Sequence, residues 1–282
     1  MTEPTGTTPA GAPAPRRLAL LGAGVMGETL MSGLLRSGWD AADLVVSERR
    51  PDRAAELAER YGVAVTSNVE AVLAADTVVL VVKPQDIQGL LAEVHDSVRP
   101  GALVVCIAAG ITTAFVEQRL PQGVAVVRVM PNTPALVDQG MAAISAGTHC
   151  DASHLERARR LLAATGKVLE VPEYQQDAVT AISGSGPAYV FYVVEAMIEA
   201  GVLLGLPRTT STELVVQTLY GAATMLRETG EHPTVLREQV SSPAGTTMAA
   251  LRQLDDHKVR AAFLTAMEAA RDRSRELSSG TP

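Results

Sequence analysis

The chain has 282 residues, 47% of them hydrophobic, and a formal net charge of −7. That length allows two domains with substantial cores, and the acidic balance argues against a nucleic-acid surface. The longest apolar region, residues 188–206, is interrupted by Glu195 and Glu199, which argues against a membrane span and for a soluble, cytoplasmic protein.

Residues 1–15, with Pro4, Pro9, Pro13 and Pro15 among Thr, Gly and Ala, read as a disordered tail. This stretch lacks the basic start and apolar core of a signal peptide. From residue 17 a short apolar run, Leu18-Ala19-Leu20-Leu21, enters Gly22-Ala23-Gly24-Val25-Met26-Gly27 and then an Ala/Leu/Met helical pattern. This is G-x-G-x-x-G in its strand–turn–helix setting. Gly22 makes the turn, Gly24 admits a pyrophosphate and Gly27 lets the helix pack on the strand.

The next strand, 44–46, ends in Ser47-Glu48-Arg49-Arg50. An acidic residue there reads a ribose 2′-hydroxyl, whereas guanidinium groups suit a 2′-phosphate. The Arg49–Arg50 pair favours NADPH over NADH, although arginines in a solvated loop need no ligand. Further strands are expected at 63–65, 77–82, 103–107 and 124–129, with weaker ones at 141–145 and 167–170; helices are expected at 53–61, 86–97 and 113–119. The alternation predicts a Rossmann-type, doubly wound parallel sheet over residues 16–171, with ligands at the carboxyl ends of its strands. Loops at those ends offer Asn68, which also suits a helix cap, Lys83, one of three lysines in the chain, and Asn132, bracketed by Pro131 and Pro134.

After Pro172 the strand pattern stops, and residues 172–282 read as an all-helical domain. Its helices, such as 189–204 and 212–226, are apolar over much of their surface, which predicts burial against another subunit. Near the end stands Val240-Ser241-Ser242-Pro243-Ala244-Gly245-Thr246-Thr247, leading into a helical run. Gly245 lets backbone approach a ligand, and Thr246 and Thr247 open a helix whose N–H groups attract a carboxylate. Ser and Thr at this place also serve as ordinary helix caps. The histidines at 95, 149, 154, 232 and 257 lie in no motif that demands a titrating group, and Cys106 and Cys150 lack disulfide or zinc spacing.

The order G-x-G-x-M-G, Val-Lys-Pro, Met-Pro-Asn-Thr-Pro, Ser-Gly-Ser-Gly-Pro-Ala-Tyr and Val-Ser-Ser-Pro-Ala-Gly-Thr-Thr resembles the Δ1-pyrroline-5-carboxylate reductase family from residue 17 to about 277. The resemblance implies reduction of the cyclic imine L-Δ1-pyrroline-5-carboxylate to L-proline, the last step of proline biosynthesis, by NADPH or NADH. It implies substrate binding by Gly245, Thr246 and Thr247, with the Thr247 hydroxyl on the ring nitrogen and Ser242 flanking the same pocket. It places cofactor contacts on Gly22, Ala23, Gly24, Val25, Met26, Gly27, Ser47, Asn68 and Lys83. A homodimer through the helical domain, assembled into a larger ring of dimers, is also implied. One departure is Ala244, where the family commonly has Gly. Hydroxyacid dehydrogenases share the N-terminal motif but use a lysine on the long helix after a Gly-rich turn; here no lysine follows Gly184–Pro187 until Lys258.

Overall fold

The computed structural model describes residues 17–279; the tail at 1–15 lies outside the described residues. The chain divides into two compact units, residues 17–179 with 274–279, and Thr180–Arg273.

The first unit is built on strands β1 (Leu18–Leu21), β2 (Leu44–Ser47), β3 (Ala64–Thr66), β4 (Thr77–Leu80), β5 (Leu103–Cys106), β6 (Ala125–Met130), β7 (Gly140–Ala146) and β8 (Gly166–Glu170), in the order β3-β2-β1-β4-β5-β6-β7-β8. The helices between them are α1 (Val25–Arg36), α2 (Pro51–Tyr61), α3 (Asn68–Ala74), α4 (Ile87–Val94), α5 (Thr113–Glu117) and α6 (Ala152–Ala163), with the short α7 (Gln176–Val179) following β8. Every residue of β1, β4 and β5 is buried, which is why these strands are continuous rather than alternating apolar runs. Side chains of opposite parity feed two cores. Leu18, Leu20, Val46, Val79 and Val105 meet Leu30, Met31 and Leu34 of α1, whereas Ala19, Leu21, Val78, Leu80 and Val104 meet α3 and α4 through Ala71, Val72, Ile87 and Leu91.

The expected parallel, doubly wound sheet holds from β1 to β6 and departs from the parallel pattern at β7. It runs antiparallel to β6, Met130 pairing with Ala143, and β8 then pairs parallel with β7. The link from β6 to β7 holds only the 3-10 turn Thr133–Val137. A parallel return needs a crossover of a dozen or more residues. The expected helix at 86–97 also resolves into α4 flanked by 3-10 turns at Pro84–Asp86 and His95–Ser97.

The second unit holds α8 (Gly186–Leu203), α9 (Arg208–Thr229), α10 (Pro233–Gln239), α11 (Thr246–Asp256) and most of α12 (Val259–Ser279). α8 and α9 pack together as a hairpin turned at Gly205, whose φ is +95°. A π-helical turn, Thr180–Gly184, precedes α8, with the Ser185 N–H donating to the Thr180 carbonyl at 2.8 Å. The stretch Glu173–Leu203 is long and apolar enough to cross a membrane by length and composition. Along it Phe191, Tyr192 and Leu203 are exposed in the single chain, as is Tyr220 on α9. From Ser274 onward α12 belongs to the first unit, where the Ser274 hydroxyl donates to Asp177 Oδ1 at 2.7 Å.

Candidate active site

The parallel strands end along one edge of the sheet, and the order reverses between β1 and β4, where an open α/β sheet forms its ligand crevice. The turn after β1 is shaped for close backbone approach. Gly22 has φ +103°, and a side chain there would strike the Val81 carbonyl at 2.7 Å. A methyl group on Gly27 would overlap the carbonyl of Gly22, whereas at Gly24 it would meet nothing within 4 Å. Gly22 and Gly27 are therefore required by the protein's own packing. Gly24 faces open space, as the cradle for a phosphate should.

Gly24 is also the N-cap of α1 and makes no side-chain cap hydrogen bond. The first N–H groups of the helix, at Val25, Met26 and Gly27, are thus left by side chains for an anion. Ala23 is buried behind the turn and Val25 is exposed in front of it. Glu28, in the first turn of α1, is engaged elsewhere, by Tyr61, Arg53 and Arg60 of α2. Burial works to raise its carboxyl, but the hydrogen bonds from Tyr61 and Arg53 and the charges of Arg53 and Arg60 outweigh it, and the net shift is downward.

Beyond the ends of β2 and β3 lies a cleft of about 530 Å³ lined by Ser47, Glu48, Arg49, Ser67, Asn68 and Glu93, among others. Ser47 is buried and donates its hydroxyl to Asn68 Oδ1 at 2.6 Å. The cap of α3 is Ser67, not Asn68. The Ser67 hydroxyl accepts from Glu70 N while the Glu70 carboxylate accepts from Ser67 N, which leaves the Asn68 side chain to line the cleft. Glu48 turns back on its own loop, accepting from Arg50 N at 3.0 Å with Arg50 Nε at 3.6 Å. Arg49 is exposed and lines the cleft, so the structure separates two arginines that sequence reasoning treated as a pair.

Lys83 follows β4, exposed, at the head of the Pro84–Asp86 turn. Asn132 follows β6, and its side-chain oxygen accepts from Met141 N at 2.8 Å, tying the end of β6 to β7. Of the histidines, His154 joins Asp151 in the capping box of α6 and His232 caps α10. Cys106 is buried in β5, and that burial pushes its thiol up to about 11.

The second unit presents the other candidate loop. Ser242, Pro243, Ala244 and Gly245 form a turn closed by Gly245 N–H on the Ser242 carbonyl at 3.0 Å. Ala244 sits at φ +59°, the left-handed region, at the turn position that ordinarily demands Gly. A side chain on Gly245 would approach Ser242 Oγ at 2.5 Å. Gly245 is the N-cap of α11, and no side chain caps it. The ordinary cap role for these hydroxyls is thereby set aside. Among the described residues, no intrachain hydrogen bond takes up the Thr246 or Thr247 hydroxyl. The arrangement pairs the free N–H groups of a helix start with hydroxyls beside them, a receptor for a carboxylate next to a hydrogen-bonding atom.

Sequence reasoning passed over two features. Glu93 is bonded to Asn68 at 2.9 Å from a helix that carries no motif. The π turn before α8 leaves only a Ser-Gly-Ser-Gly run as its signal.

Residues 173–277 match a family profile described as pyrroline-5-carboxylate reductase dimerisation, and residues 17–110 match one described as NADP oxidoreductase, coenzyme F420-dependent. A pyrroline-5-carboxylate reductase of Corynebacterium melassecola is 48% identical over 264 residues, covering 92% of this chain and 98% of that protein. The solved structure of a pyrroline-5-carboxylate reductase from Coxiella burnetii superposes with a TM-score of 0.89 at 37% identity, covering 94% of this chain and 99% of the other. That of Plasmodium falciparum pyrroline carboxylate reductase with NADP bound gives a TM-score of 0.84 at 27% identity, covering 93% and 98%.

Proposed function

The chain belongs to the pyrroline-5-carboxylate reductase family, and we propose that it reduces L-Δ1-pyrroline-5-carboxylate to L-proline with NADPH, NADH serving as the alternative reductant. The observation that carries the reading is a shared device. α1 and α11 each begin at a glycine, Gly24 and Gly245, whose helix N–H groups no side chain takes. The first suits a dinucleotide pyrophosphate and the second an amino-acid carboxylate.

In this reading the Gly22–Gly27 turn, Ala23, Val25 and Met26 included, holds the pyrophosphate. Ser47 and Asn68 hold the adenosine ribose and Arg49 its 2′-phosphate, with Arg50 keeping Glu48 turned aside. Lys83 borders the nicotinamide end, and Asn132 braces the turn that ends β6. The cofactor, when bound, supplies hydride from its nicotinamide ring. Gly245, Thr246 and Thr247 fix the substrate carboxylate on the start of α11, with Ser242 beside them. The Thr247 hydroxyl accepts the N–H of the protonated ring nitrogen and so holds the imine carbon in line. A cyclic imine is basic enough to carry its own proton near neutral pH, so no residue need act as a strong acid. Hydride bonds to the carbon, the C=N π pair stays on nitrogen, and the product leaves as a secondary amine. Alignment of this kind can contribute roughly 7–11 kcal/mol.

Residues 16–171 are the cofactor domain and 172–282 the substrate and subunit-contact domain in this account. The exposed Phe191, Tyr192, Leu203 and Tyr220 are covered by a second copy of the chain, since an α8 apolar over most of its surface needs more partners than one hairpin supplies. A second copy fits better than lipid because Glu195, Glu199 and Arg208 stud the same helices. We place the enzyme in the cytoplasm as a homodimer, the dimers joining in a larger ring.

The test is to mix purified protein with NADPH and pyrroline-5-carboxylate, follow the nicotinamide absorbance, and quantify proline by chromatography. The reading expects one proline per NADPH consumed. Folded protein that binds NADPH but makes no proline would refute it.

A further inference from the structure

Glu93, in the last turn of α4, lines the same cleft as Ser47, Arg49 and Asn68. Its Oε2 accepts from Asn68 Nδ2 at 2.9 Å. A carboxylate can only accept, so the network fixes the Asn68 amide with nitrogen toward Glu93 and oxygen toward β2. That oxygen can also only accept. The 2.6 Å contact with Ser47 Oγ is therefore one in which Ser47 donates. Its single hydrogen is committed, and only lone pairs remain for a ligand.

This relay gives the wall of the cleft a direction. At Ser47 a ribose 2′-hydroxyl can donate to those lone pairs, whereas a 2′-phosphate brings more acceptors there and is left to Arg49 and the second Asn68 N–H for its donors. The carboxylates of Glu48, Asp86 and Glu93 line the same cleft, and Arg49 is the one cation among the described residues that line it.

We infer that Glu93 is a positioning residue for cofactor choice: by locking the Asn68 amide, and through it the Ser47 hydroxyl, it favours the 2′-hydroxyl of NADH and opposes the pull of Arg49 on the 2′-phosphate of NADPH. The inference rests on the dinucleotide reading of this cleft. A glutamine at this position keeps the shape but can donate as well as accept. The Asn68 amide is then free to turn over, and Ser47 regains a hydrogen to offer a phosphate.

The test is titration of NADPH and NADH by nucleotide fluorescence against wild type, Glu93→Gln, Asn68→Ala and the double variant, with a thermal melt for each. Glu93→Gln is expected to lower the Kd for NADPH by about fivefold while that for NADH changes less than about twofold. On the Asn68→Ala background the change in the NADH-to-NADPH ratio should shrink below about twofold, since the amide that carries it is gone. Equal shifts for both nucleotides, or none, would overturn the inference. So would a ratio change that survives intact without Asn68, which would assign the effect to charge alone. Wild type that binds neither nucleotide would remove the dinucleotide reading itself and the inference with it.

Discussion

The α-carbon of Gly27 lies against the carbonyl oxygen of Gly22, with no room for even a methyl group between them. The obstacle is backbone, so neither partner can swing aside. Gly27→Ala should destabilise the protein by about 1–3 kcal/mol, the usual cost of overpacking, and weaken both NADPH and NADH. Urea unfolding and nucleotide titration check the two effects. Gly24→Ala, which meets nothing within 4 Å, should leave stability nearly unchanged yet impair nucleotide binding.

The two arginines after β2 should behave differently. Arg49 lines the cleft, whereas Arg50 is occupied with Glu48. Arg49→Ala is expected to weaken NADPH by about tenfold, the scale of one charge-assisted hydrogen bond, with little change for NADH. Arg50→Ala should cost less for NADPH, acting only by releasing Glu48. Parallel titrations of both nucleotides decide it, and equal effects of the two variants would remove the distinction.

Thr247→Ala should lower kcat/KM for the imine by about tenfold to a hundredfold. Cofactor affinity should stay within about twofold, because the proposal assigns this helix start to the substrate carboxylate. A large loss of NADPH binding would contradict the assignment of Thr247 to the substrate.

Ala244 at φ +59° occupies a conformation that costs an L-residue about 1–2 kcal/mol. Ala244→Gly should recover part of that, raising stability by about 1 kcal/mol after the added freedom of the unfolded chain is subtracted. The melting temperature would rise accordingly. If it falls, the methyl group is making a favourable contact that outweighs the strain.

Asp151 caps α6. The Ser153 hydroxyl and the His154 backbone N–H, followed by the Ser153 N–H and the charge of His154, hold its carboxyl down to about 2. A carboxyl held below its unfolded value of about 4 stabilises the fold fully above that value and ceases to as pH falls through about 2. Asp151→Asn should therefore be less stable than wild type at neutral pH, with the gap narrowing as pH drops from about 4 toward about 2. Denaturant midpoints of both proteins across that range measure it.

Much of the first unit could be read from the chain because its signals are local. Leu18–Leu21, Thr77–Leu80 and Leu103–Cys106 are buried on both faces, and the first two run on into a glycine turn and a Lys-Pro turn. The reversal at β7 was hidden because the apolar run Met141–Ser145 reads the same whichever way it pairs; only the short connection from Met130 decides the direction. Ser67 rather than Asn68 caps α3 because Glu70 stands three residues on and completes a capping box, a cue present in the sequence. Glu93 carried no cue at all, since its partner lies 25 residues away in the chain. The return of Ser274 to Asp177, separated by 97 residues, is equally beyond any local pattern.

The central claim, hydride delivery to the imine carbon, is tested most directly by isotope transfer. Protein is incubated with pyrroline-5-carboxylate and NADPH carrying deuterium at the transferring position of the nicotinamide, and the proline is read by mass spectrometry and NMR. The account predicts one deuterium per proline, bonded to the carbon that was double-bonded to nitrogen. Proline formed without that label, or labelled at another carbon, would contradict it.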